Sequence, residues 1–220
     1  MSSQFQKNEQ VICQFIPPNN PPKVLLDVGV GPKTEYLTLL EMYPDMRLIG
    51  LEPFPSCFNT LIPKFPGILL PYAAWSEEKS LELYINEANP EATSMFPHKS
   101  GEKNIATVHG RTLDSIDKHL GNLDRILIWM DIEGSELMAL KGSSELLKSG
   151  RVRWINIEDR DKWSRVGACV KQEVDDFLGQ FGYKEKLQYN HHNRDSTYGH
   201  RDVIYLHESQ LKEWKDIKGN

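Results

Sequence analysis

Cysteine is scarce in this chain: there are three in 220 residues, Cys13, Cys57 and Cys169, far apart and without a Cys-x-x-Cys pair. That spacing supports neither a zinc ribbon nor a disulfide framework, and a reducing compartment is the simplest expectation. Basic residues are outnumbered, 26 Lys and Arg against 31 Asp and Glu, for a net charge of -5. The basic face that nucleic-acid binding requires is therefore not expected. No apolar run approaches the ~20 residues of a membrane span. The opening "MSSQFQKNEQ" is polar and lacks the apolar core of a secretory signal, so a cytoplasmic protein is expected. Internal repeats and low-complexity blocks are missing as well.

Proline is concentrated in one place. "PPNNPP", Pro17 to Pro22, excludes helix and central strand there. It divides an N-terminal arm or short helix, residues 1–22, from a domain expected over residues 23–220. Within that domain strands and helices alternate. "KVLLDVG", "RLIGLEP", "GILLPYAAW", "DRILIWMDI" and "RWINIED" read as apolar strands. "EYLTLLEMY", "SCFNTLIPKF", "RTLDSIDKHL", "SELMALKG", "SSELLKSG" and "VKQEVDDFLGQFGY" read as helices. "LELYI" reads as a strand or a hairpin piece. "KEKLQYN" and "RDVIYLH" alternate like a terminal strand pair around the polar loop "HHNRDSTYGH". This order predicts an α/β protein whose parallel sheet is covered on both faces, with one antiparallel strand added at the end.

Open sheets of this kind bind ligands outside the carboxyl ends of their strands. In "LLDVGVGP", Asp27 precedes Gly29 and Gly31 at such an end. The glycines let a ligand approach the backbone. A full GxGxxG fingerprint would need glycine at position 34, where Thr34 stands, and Asp27 would repel a pyrophosphate. A ligand with an amine or a cationic centre fits better. Glu52 ends the second strand, where an acid can accept ribose hydroxyls, and Phe54 can pack on an adenine. A tight turn with a strand-end charge would leave the same trace.

The stretch "MDIEGSELMALKG" resembles the signature of FkbM-type methyltransferases. "LLDVGVG", "LEPFP", "AAWSEEKSLELYI", "RTLDSI" and "INIE" fall in that family's order, over about Val24 to Leu206. The resemblance implies a Rossmann-like class I methyltransferase fold: a mostly parallel seven-stranded sheet, a reversed terminal strand and helices on both faces. It also implies S-adenosylmethionine as methyl donor, and a hydroxyl of a small molecule or sugar as acceptor. On that resemblance Asp27, Gly29 and Gly31 line the methionine end, Glu52 holds the ribose, Ala73 and Ala74 flank the adenine, and Asp131 lies near the sulfonium. The chain is short for the family, and Pro32 follows Gly31 where many members have a more flexible residue.

The signature crowds Asp131, Glu133 and Glu136 at one strand-to-helix turn. Asp131 is the candidate to orient the donor's amine, bind the acceptor hydroxyl or take its proton. Glu136 is expected to act through the helix dipole, and Glu133 suits either role. Glu158 and Asp159 end the next strand. With Asp131 they make a candidate site for Mg²⁺ or Ca²⁺, as in metal-dependent catechol-type enzymes. A salt bridge to Arg160, Lys162 or Arg165 is the favoured alternative, so no metal ligand is assigned. His191 and His200 are alternate bases, in a loop that can equally be plain solvated surface, and Trp163 is a candidate acceptor wall. Two rivals remain: a nicotinamide oxidoreductase and a non-catalytic module with this fold. The acceptor's identity and the oligomeric state are not encoded in any motif.

Overall fold

The computed structural model describes residues 11–32, 35–101, 104–160, 164–192 and 200–211. Among the described residues there are ten strands: β1 (Val24–Val28), β2 (Arg47–Leu51), β3 (Ile68–Leu70), β4 (Tyr72–Ala74), β5 (Lys79–Ile85), β6 (Asn104–Arg111), β7 (Ile126–Met130), β8 (Val152–Asp159), β9 (Tyr183–His192) and β10 (His200–His207). Seven make one sheet in the order β3-β2-β1-β7-β8-β10-β9. Strands β3, β2, β1, β7 and β8 are mutually parallel, while β10 runs antiparallel to both β8 and β9. The last described strand is thus the reversed one, as the resemblance implied, and it lies between β8 and its hairpin partner β9. β9 and β10 reach further than the sequence pattern suggested, to His192 and from His200.

β1 and β7 are buried at every position, because helices cover both faces of the sheet. Side chains alternate between those faces. Val24, Leu26, Val28, Ile128 and Met130 pack with Leu113, Leu140, Leu147, Val174 and Leu178 on one side. Leu25, Leu127, Trp129 and Trp154 pack with Tyr36, Leu39, Leu61 and the N-terminal residues Ile12, Phe15 and Ile16 on the other. Trp154, fully buried, donates its indole N–H to the Phe15 carbonyl at 3.0 Å.

One expectation is corrected here. "GILLPYAAW" is not a single strand. Pro71 cannot donate to a ladder, and it divides the run into β3, in the main sheet, and β4, in a separate three-stranded sheet ordered β4-β6-β5. β6 was not apparent in the hydrophobic pattern, because it is exposed or half-buried at all but Val108 and Gly110. The small sheet stands beside the strand tips of the large one and walls the site.

Candidate functional site

The main sheet reverses its order beside β1, whose neighbours are β2 and β7. A cavity of about 300 Å³ opens at the carboxyl ends of these strands. Gly29 and Gly31 from the β1 turn, Glu52 and Phe54 from the β2 tip, Ala73 and Ala74 of β4, and Asp131 after β7 all line it. Asp27 does not. It is buried within β1, one residue before Val28, and strand alternation turns it away from the face that Val28 presents to the cavity.

Glu52 is buried, and its carboxylate accepts the Gly31 and Phe54 amides, each at 2.7 Å. Burial raises its pKa, and the two amides pull it back. Each oxygen keeps lone-pair capacity for a further donor. Cys57 stands against Glu52, and burial and the neighbouring carboxylate push its thiol up to about 12.

The turn after β7 is held from inside. Glu133 and Gly134 take positive φ angles of 54° and 100°. Glu136, fully enclosed, accepts the Ile132 and Gly134 amides at 3.2 Å each. The helix-dipole role expected for Glu136 is therefore secondary: its carboxyl folds back onto two turn amides instead of facing solvent. Burial raises its pKa to about 8.

Three carboxylates, those of Asp131, Glu133 and Glu158, bring oxygens within 4.8 Å of one another. Asp159 is not among them. Successive residues of β8 face opposite ways, so Asp159 turns toward Lys171 and Arg201 on the other side, which corrects the expected trio. Burial drives the Glu158 pKa well above the ordinary carboxylate range, with the Asp131 and Glu133 charges adding to it and Arg160 opposing. The Arg160 guanidinium lies 3.1 Å from Glu158 and 3.7 Å from Glu133, and His200 Nδ1 lies 3.4 Å from Glu158. His200 thus joins the acidic cluster. The backbone of His191 lies in β9, but its side chain, like Lys162 and Trp163, falls outside the described residues.

The FkbM methyltransferase domain model matches residues 16–185. The chain belongs to the FkbM methyltransferases. That membership makes it a protein of the S-adenosylmethionine-dependent methyltransferase family. The methyltransferase domain of bacterial CtHen1-C superposes with a TM-score of 0.51 at 12% identity, over 93% of this chain and 96% of that one. Magnesium protoporphyrin IX methyltransferase from Synechocystis PCC 6803, crystallised with S-adenosylmethionine, gives 0.47 at 10% identity, over 92% and 79%. No curated protein matches the chain. Among the described residues no helix is long and apolar enough to cross a membrane.

Part of this FkbM protein's cavity escaped the sequence. Pro90, Thr93, Ser94 and Met95, from the connection between β5 and β6, form one wall. Their only signal was length. A connection from Asn86 to Lys103 is longer than most loops in compact domains, and such loops tend to be functional. The Ser94 hydroxyl donates to the Glu133 carbonyl at 2.8 Å, joining that wall to the acidic turn.

The enclosed acids of this FkbM domain give stability a definite pH slope. Both Glu136, at about 8, and Asp159, at about 7, hold protons in the folded state that the unfolded chain has released. Stability is therefore highest at mildly acidic pH and declines as pH rises toward these values. Denaturant midpoints from about pH 5 to about pH 8 should fall with pH, and Glu136→Gln should flatten the curve. A wild-type curve that rises through this window would refute the assignment.

Proposed function

We propose that the chain methylates a hydroxyl oxygen of a small molecule or sugar, by direct in-line transfer from S-adenosylmethionine at the Asp131 end of the cavity. The observation that carries this reading is one cavity lined at once by the glycine turn, Glu52, Phe54, the Ala73–Ala74 pair and Asp131. S-adenosylmethionine supplies an electrophilic methyl on a positively charged sulfur. Glu52 would accept its ribose hydroxyls with the lone pairs the amides leave. Phe54, Ala73 and Ala74 would flank the adenine, and Gly29 and Gly31 would admit the methionine portion against bare backbone. Asp27, buried behind the strand tip, would act at that end through its negative charge.

Asp131 would orient the acceptor hydroxyl and hold its proton as the oxygen attacks, with Glu158 and His200 beside it to spread that charge. Positioning dominates: alignment of reactants contributes about 7–11 kcal/mol in well-oriented systems, against roughly 10²- to 10⁴-fold in rate for general-base help. Thermal unfolding with S-adenosylhomocysteine tests the reading, since a ligand at 100 times its Kd adds ~2.7 kcal/mol. Stabilisation by this nucleoside and not by NAD is expected. The reverse result would favour an oxidoreductase, and no shift with either would favour a non-catalytic module.

A metal-dependent version rests on the Asp131, Glu133 and Glu158 oxygens, whose chemistry and 4.8 Å spread suit a hard cation. Arg160 already supplies positive charge to two of them, which favours the metal-free form. Methyl transfer should accordingly persist in excess EDTA, and loss of activity restored by Mg²⁺ would reverse that preference.

A further inference from the structure

The wall formed by the β5–β6 connection is fastened by a residue that does not line the cavity. Arg165 is almost fully buried, 6% exposed. Its guanidinium donates to the Phe96 carbonyl at 2.8 Å and also to the Ala92 carbonyl. Those two carbonyls bracket Thr93, Ser94 and Met95, which face the cavity. Backbone bonds reinforce the join: Val166 N–H to the Pro97 carbonyl and Lys99 N–H to the Ser164 carbonyl, both 2.9 Å. The same segment reaches the acidic turn, where the Cys169 amide donates to the Gly134 carbonyl at 3.0 Å. Residues 164–169 therefore touch both the cover of the cavity and the turn that carries Asp131 and Glu133.

We propose that Arg165 is a positioning residue for the methyl donor: by spanning the Ala92 and Phe96 carbonyls it holds Thr93–Met95 closed over the cofactor cavity and in register with the Asp131–Glu133 turn. This rests on the cofactor reading above. A planar guanidinium can serve two carbonyls at once with a fixed geometry, which a lysine ammonium reproduces only in part. Arg165 is enclosed, so its bonds to these carbonyls are made at a desolvation cost that a solvent-exposed tether would not incur. Without it, the segment loses its fastening near the middle of an 18-residue connection and keeps Ser94 and the flanking backbone bonds.

Calorimetry with S-adenosylhomocysteine on the full chain tests this. Arg165→Met should weaken binding about tenfold to a hundredfold, the loss of one or two charge-assisted hydrogen bonds. Arg165→Lys should fall between the two. Amide exchange at Thr93–Phe96 should quicken in the unliganded Arg165→Met protein. Millimolar guanidinium should restore much of its affinity, which a general loss of packing would not permit. Should Arg165→Met prove too unstable to purify, Arg165→Lys carries the same comparison. Wild-type-like affinity in the variant, or weakening that guanidinium leaves unchanged, overturns the inference alone. A wild-type chain that fails to bind S-adenosylhomocysteine overturns the cofactor reading and this inference with it.

Discussion

Gly29→Val is expected to abolish S-adenosylhomocysteine binding and to lower the denaturant midpoint sharply. Gly29 has a φ of +88°, a conformation that costs an L-residue roughly 1–2 kcal/mol before any contact is counted. A Cβ built there would land on the Asp131 carbonyl oxygen and lie 2.6 Å from Ile132 Cγ2. The Asp131 carbonyl is backbone and is held in place. The Asp131 amide is bonded to the Val28 carbonyl at 3.1 Å, and the Gly29 amide to the Leu51 carbonyl at 3.0 Å. The tips of β1, β2 and β7 are thus locked together where the cavity opens, so one added side chain displaces the floor and Asp131 at once. Gly101→Val is the control. It carries the same strain, φ +80°, but meets nothing among the described residues within 4 Å. It should lose only the backbone cost and keep its affinity. Equal affinity in both variants would show that the Gly29–Asp131 approach does not shape the site.

This close approach explains how much of the molecule was legible beforehand. The central strands β1 and β7 are buried on both faces, so they appear as unbroken apolar runs, and the glycine-rich turn follows the first of them. Gly29, Glu52 and Asp131 could be placed because strand ends in such sheets face one crevice. What depended on tertiary context could not. Pro71 looks like an interruption of one strand, but it is a junction between two sheets. Glu158 and Asp159 are adjacent, and only the register of β8 decides which of them meets Asp131. Glu136 has the position of an ordinary first-turn acid. That it turns inward becomes visible only once the Ile132 and Gly134 amides are seen without helix partners. Arg165 lies 69 and 73 residues from the carbonyls it joins, and no local pattern encodes that contact.

Glu52→Gln should cost nearly as much cofactor affinity as Glu52→Ala, although the shapes of Glu and Gln are almost the same. Both Glu52 oxygens already accept backbone amides, Gly31 on one and Phe54 on the other. A carboxylate can do this because it is acceptor-only on both sides. A glutamine must turn its NH₂ toward one of these N–H groups, so two donors face each other inside a buried site. Either the Gly31 turn or the start of the helix Pro55–Leu61 must then shift, and both line the cavity. Glu52→Ala instead leaves both amides without the acceptor and removes the group proposed to hold the ribose. Each charge-assisted bond lost is worth about 1.5–3 kcal/mol, so affinity for S-adenosylhomocysteine should fall roughly a hundredfold or more in either variant. Burial raises the Glu52 pKa, so wild-type affinity should also decline toward acid pH as the carboxylate takes up a proton and loses one of its acceptors. The two variants should lack that acid limb. Calorimetry across pH checks both points. A Glu52→Gln protein that binds within about threefold of wild type, a difference under 1 kcal/mol, would mean that the site does not depend on two acceptor oxygens at Glu52 and that the ribose is held elsewhere.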